Sequence, residues 1–286
     1  MINRNYDKVI IFCYPAWSGG NFLINCLSLN DQCVLRSARL ARHQLQFGFT
    51  PAEKIAYFQR QLNATLGTKK WNDLGLGCSN LFGVDSSDYF FEYPEIIQKR
   101  FNDVISQLIH ENKYLFIVAH TTQYLDAYRN FWPNARIILF TNYHKFVNNR
   151  AGKLLTKNLD LIRYWDVVKG QDWPEAPPAN YLDFLQLSDA IRSKLVNEFH
   201  GEIFKWFGSP PFKEDLHDVA VKNYIESMGY RCLDWNVENN YAGNESEFLI
   251  GLQHCAEWTG VRIDVPDSMV LDYYRNWLNV LFAIKN

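Results

Sequence analysis

Apolar positions recur with two different periods along this chain, and the alternation between them predicts an α/β protein. Val9–Tyr14, Tyr114–Ala119 and Arg136–Phe140 are short apolar runs rich in β-branched and aromatic residues, the pattern of strands buried on both faces. Tyr230–Trp235 reads as a last short strand. Elsewhere the apolar residues take helical spacing. Phe22, Leu23, Cys26, Leu27 and Leu29 share one face from Asn21 onward, and Ile97, Phe101, Val104, Ile105, Leu108 and Ile109 line the inner side of a helix over Pro94–Glu111. Helices are also predicted from Thr50 to Leu66 and over Thr121–Tyr128, His144–Leu161, Tyr181–Phe207, Lys213–Met228 and Ser268–Ile284. Thr50-Pro51 supplies a cap and a first-turn proline. Asn244-Glu-Ser-Glu247 has the form of a capping box with Asn as the cap, and it opens a helix that Gly260 closes. Leu35–His43 carries Arg36, Arg39 and Arg42 at a spacing of three, which on a helix puts them along one side: a solvated basic face, or a contact for an anionic substrate. Leu74–Asp88 and Gly170–Pro178 read as loops.

Strand, helix and strand follow one another between Tyr114 and Phe140, a βαβ unit that implies parallel strands. The chain has no internal repeat, low-complexity tract or clear linker. The expected architecture is therefore one domain over residues 1–286, a central parallel sheet flanked by helices, with helical insertions over about 30–112 and 155–230.

The stretch from Val9 to Leu29 carries the first chemistry. Pro15 ends the strand, because proline cannot donate to a sheet ladder. Ser18-Gly19-Gly20 permits a tight turn with unshielded backbone N–H groups, and a helix starts at Asn21. Strand, glycine turn and helix aim those groups and the positive end of the helix dipole at one spot, where an anion such as phosphate can sit. The same residues also serve a turn that binds nothing. GxxxxGK[ST] is absent, and no Lys lies between Val9 and Leu29.

Composition narrows the partners. The 286 residues are 48% hydrophobic and 21% charged, an ordinary globular balance. A formal charge of -2 leaves no basic field to gather nucleic acid. Six cysteines without a CxxC pair point to free thiols, a reducing compartment and a cytoplasmic location. Met1–Lys8 leads straight into the first strand, so neither a signal peptide nor a membrane span of about 18 apolar residues is expected. The histidines form no ligand spacing with Cys or carboxylates, and no metal is expected.

The order of these pieces resembles the sulfotransferase-type P-loop family in three blocks, roughly residues 8–29, 114–158 and, more weakly, 232–283. Sulfotransferases open with a strand and a loop of the type YPKSGTTW around the phosphosulfate end of the donor, 3′-phosphoadenosine-5′-phosphosulfate. The string here is Tyr14-Pro-Ala-Trp-Ser-Gly-Gly-Asn-Phe22, one residue longer. The family's strand ending in a catalytic-base histidine, as in KTHLP, is similar to Val118-Ala-His120-Thr-Thr. Its RNPxDxxxS string, which holds the donor's 3′-phosphate, stands where this chain has Ile137 to Asn149. The helix that Gly260 closes resembles the family's helix before a "FLG" turn. This chain departs from the family where charge matters most. The loop Lys aligns with Trp17 or Ala16, and the 3′-phosphate Arg and Ser align with Thr141 and Asn149.

The resemblance implies transfer of a sulfuryl group from that donor, as co-substrate and without a metal, to a hydroxyl or amine of a saccharide or small metabolite. His120, at the carboxyl end of a predicted central strand, becomes the general base, since an imidazole titrates near neutral pH. On its residues alone, His120 also reads as a histidine closing a strand. Ser18, Gly19, Gly20 and Asn21 become the anion cradle, with Trp17 stacking on adenine or substrate or packing inside. Thr141 and Asn149 become neutral donors to the 3′-phosphate, with charge from Arg150 and Lys153 or from Lys145; a solvated helix face is the plainer reading of that pair. Phe82–Tyr93 and Trp165–Trp173 are candidates to line the acceptor pocket. The missing Lys, Arg and Ser equally suit a second reading, a catalytically degenerate nucleotide-binding or interaction protein on the same fold. A kinase on this scaffold fits less well, because no Asp-rich strand end would hold Mg²⁺.

Overall fold

A parallel sheet with β1 (Val9–Cys13) at its centre organises the molecule. The computed structural model describes residues 5–14, 18–36, 45–65, 81–82, 105–119, 128, 132–143, 146, 218–242 and 244–282. Chain order within these runs α1 (Gly20–Leu27), β2 (Leu35–Arg36), β3 (Leu45–Gln46), α2 (Pro51–Thr65) and β4 (Leu81–Phe82). A helical stretch at 105–110 leads to β5 (Leu115–Ala119) and β6 (Arg136–Thr141). Then come α3 (Asp218–Ser227), β7 (Cys232–Asn236), α4 (Val237–Tyr241), α5 (Glu245–Thr259) and α6 (Asp267–Phe282).

The sheet order is β4-β5-β1-β6-β7, with every pairing parallel: four strands of five or six residues and the two-residue β4 at one edge. Phe12 stands opposite Val118 on one side and Ile138 on the other. All of β1 and β5 is buried, as continuous apolar strands in a covered parallel sheet must be. β7 alternates buried and exposed positions, as a half-covered strand does.

Helices lie on both faces. Ile10, Phe12 and Tyr14 share a face with Phe140 and Trp235, and the Tyr14 and Phe140 rings are 5.1 Å apart. α1 lies on this side with α5 and α6, and Phe22 packs among Phe248, Tyr273, Tyr274 and Trp277. A ring buried this fully contributes about 1.5–3 kcal/mol. α2 closes the layer against α6. α3 packs on β6 and β7 from the other side, where Lys222 pairs with Asp234 at 2.8 Å.

Several predicted elements shift. Leu35–Arg36 is not helical but pairs antiparallel with Leu45–Gln46. The helical spacing of Arg36, Arg39 and Arg42 thus fails at its first member, which lies in an extended ladder opposite Leu45. The insertion expected to be helical over 30–112 thus holds β2, β3 and β4, and β4 falls inside the expected loop 74–88. α4 was hidden by its brevity. Thr50 and Glu53 form a reciprocal capping box, Thr50 N–H to Glu53 Oε2 at 2.8 Å and Glu53 N–H to Thr50 Oγ1 at 3.3 Å. Asn244 accepts from the Ser246 and Glu247 N–H groups. Predicted helices within 151–217 lie outside the described residues.

The five described cysteines are free. Among the described residues no helix is long and apolar enough to cross a membrane, and no group of three or more His, Cys, Asp or Glu is placed to hold a metal ion.

Candidate active site at the glycine turn

The sheet order reverses at β1. The chain leaves β1 toward the β4 edge but leaves β5 and β6 toward the β7 edge, and open α/β sheets bind ligands at the carboxyl ends of strands flanking such a reversal. The glycine turn occupies this position. Tyr14 N–H still donates to the Ala119 carbonyl at 3.0 Å, so the end of β1 is locked beside the end of β5.

After the turn, Ser18 is fully buried and Gly19 adopts the left-handed conformation (φ 87°) as the residue before α1. The Gly19 carbonyl accepts from Phe22 N–H at 3.0 Å, Leu23 N–H at 3.3 Å and the Tyr241 hydroxyl at 3.1 Å. In a planar trans peptide the C=O and the following N–H point opposite ways, so these donors turn the Gly20 N–H away from them. α1 has no side-chain cap and no acidic residue in its first turn. The N–H groups of Gly19, Gly20 and Asn21 make no hydrogen bond to a described residue. The Tyr14 hydroxyl donates to Asn21 Oδ1 at 2.7 Å, which leaves the Asn21 amide N–H₂ as the group able to donate further.

The turn is walled by aromatic rings. A Cβ on Gly19 would stand 2.7 Å from Tyr241 and 3.1 Å from Trp277, and one on Gly20 would overlap the Tyr14 ring. Phe22 stacks on Trp277 at 4.1 Å, and Phe146 lies 5.4 Å from Tyr241. Burial raises the Tyr241 pKa well above the ordinary tyrosine range, so its hydroxyl stays a neutral donor. Gly20→Ala is therefore expected to destabilise the fold by about 1–3 kcal/mol, since the Tyr14 ring must swing off the turn. Urea denaturation measures this, and an unchanged midpoint would mean that the ring does not cover Gly20.

Thr141 ends β6, directly before Asn142 at φ 49°. It pairs in register with Asn236 and falls, by strand alternation, on the α3 side of the sheet, opposite to Tyr14 and Phe140. The structure thus brings Ser18, Gly19, Gly20 and Asn21 together and places Thr141 at the same end of the sheet on the other face. Trp17, His120, Asn149 and Arg150 lie outside the described residues, as do Lys145 and Lys153. His120 follows directly on Ala119 in the chain.

Tyr14, Tyr241 and Trp277 were missed as site residues. Tyr14 read as the end of a strand. Tyr241 and Trp277 reach the turn from α4 and α6, and nothing in their local sequence points there. No protein-family model, curated protein or solved structure matches this chain.

Proposed function

We propose that this chain transfers a sulfuryl group from 3′-phosphoadenosine-5′-phosphosulfate to a hydroxyl or amine of a saccharide or small metabolite, as a divergent sulfotransferase-like protein. One observation carries the reading. β1, whose end opens into the glycine turn, lies between β5 and β6 in the sheet. The three sequence blocks that the reaction needs, around Ser18, His120 and Thr141, therefore start from the ends of adjacent strands. The N–H groups of Gly19, Gly20 and Asn21 and the Asn21 amide then hold the anion at the α1 N-terminus. His120 takes the acceptor's proton as the new bond forms from the acceptor's oxygen or nitrogen to sulfur. The bond from sulfur to the donor's phosphate oxygen breaks, and 3′-phosphoadenosine-5′-phosphate leaves. Val9–Leu29 has no Lys, Arg or His, so stabilising charge comes from elsewhere, with Arg150 and Lys153 as candidates.

A second reading rests on a specific observation. Both glycines are also required by the packing of Tyr14, Tyr241 and Trp277, which would preserve them in a degenerate nucleotide-binding or interaction protein.

Calorimetry with 3′-phosphoadenosine-5′-phosphate, and ADP alongside, separates the two. Micromolar binding that needs the 3′-phosphate is the expected result. Equal binding of both ligands would indicate a general nucleotide site and favour a kinase-type activity. No binding of either would leave the turn as structure only.

A further inference from the structure

A second concave surface lies at the other end of the sheet from the glycine turn. The end of α5 is tied there by the Tyr114 hydroxyl, which donates to the Gly260 carbonyl at 2.8 Å, and by Arg136, which donates to the Thr259 carbonyl. Tyr114 precedes β5 and Arg136 begins β6, so this is the amino end of the strands. Between α5, residues 260–264 and the first turn of α6 runs a groove of about 450 Å³.

Its floor is apolar and buried: Leu252, Ala256, Val261 and Val270. Ile250, 66% exposed, stands one helical turn before Gln253 and two before Glu257. Among the described large hydrophobic residues it is more exposed than Phe47 or Tyr224.

The rim is acidic. Glu257, Asp264 and Asp267 line it with one cation, Arg262, which Asp264 already holds at 2.9 Å, while Arg136 is tied to the Thr259 carbonyl. Glu257 and Asp267 have no ion-pair partner among the described residues. Glu257 sits in the last turn of α5, which carries no basic residue of its own; Arg136 caps that helix end at the Thr259 carbonyl. Along the wall, the backbone groups of Arg262 and Ile263 make no hydrogen bond to a described residue and can pair with another main chain.

We propose that this groove docks a short peptide segment of a partner protein in which lysine or arginine alternates with leucine-like residues. The floor takes the apolar side chains, and Glu257 and Asp267 take the cations. Leu249 to Glu257 spans about 12 Å of helix, the length of about four extended residues. The acidic rim repels anionic membrane surfaces and nucleic acid. At the amino end of the strands, the docked segment leaves the glycine turn open.

The probe is a synthetic peptide alternating lysine and leucine, titrated onto the full chain by fluorescence anisotropy. Saturable binding is expected, weakened about tenfold in the Glu257→Lys, Asp267→Lys double variant and by added salt. A Glu226→Lys, Glu238→Lys variant, with the same net charge change on α3 and α4, should retain it. Four results would overturn the proposal: no saturation below about 1 mM, equal binding of a glutamate–leucine peptide, equal loss in both double variants, or a concentration-dependent dimer abolished by Ile250→Asp. The last would assign the groove to a second copy of this chain.

Discussion

Replacing His120 with alanine is expected to slow sulfuryl transfer by at least about 100-fold while leaving affinity for 3′-phosphoadenosine-5′-phosphate unchanged. In the proposed reaction the base acts on the acceptor's proton and the glycine turn holds the donor, so one is expected to be lost without the other. In the chain, His120 comes straight after β5, and Ala119 at the end of that strand accepts the Tyr14 N–H. Turnover is measured as release of the spent donor with an acceptor found by screening saccharides and hydroxylated metabolites. Equal turnover in the variant would remove His120 from the mechanism. Loss of donor affinity together with turnover would instead make it a structural residue.

The second large effect is one of stability. Lys54→Met should cost about 3 kcal/mol, read as a lower urea midpoint with an unchanged slope. Lys54 is 1% exposed, and its ammonium donates to the carbonyls of Ser28 at 3.2 Å, Cys33 at 2.7 Å and Asn30. Three donors meet three acceptors just past the end of α1, where the helix dipole also favours a cation. Methionine keeps the length of the stem but leaves the Cys33 carbonyl without its donor, and it strips the ammonium from the Ser28 and Asn30 carbonyls, which keep only the N–H groups of Asn30 and Cys33. A loss below about 1 kcal/mol would mean that water replaces the ammonium.

The pH dependence has a fixed sign. Burial lowers the Lys54 pKa from its ordinary 10.5, so between the folded value and 10.5 the unfolded chain holds more protons. The contribution of Lys54 to stability therefore rises with pH across that window, and the gap between wild type and variant should widen there.

Local pattern was enough to place β1, β5, β6, β7 and most of the helices described, but not β2, β3 or β4. Val9–Cys13, Leu115–Ala119 and Arg136–Thr141 are apolar throughout or nearly so, and only a strand covered on both faces suits such short runs. The caps at Thr50 and Asn244 were legible because the hydrogen bonds join residues two or three apart. The arginine spacing after Leu35 misled, because Arg36 pairs with Leu45 in an antiparallel ladder that the spacing of three does not reveal.

The sequence by itself determined the strand, the glycine turn and the helix of Val9–Leu29, since backbone sterics and apolar period act within a few residues. Only the tertiary structure decided that β1 lies between β5 and β6, because strand order depends on which faces can be buried together. It also decided that Tyr14 covers Gly20, that Tyr241 and Trp277 close on Gly19, and that Lys54 is buried among backbone carbonyls. Those contacts join residues up to 258 positions apart, Gly19 with Trp277, and no local spacing encodes them.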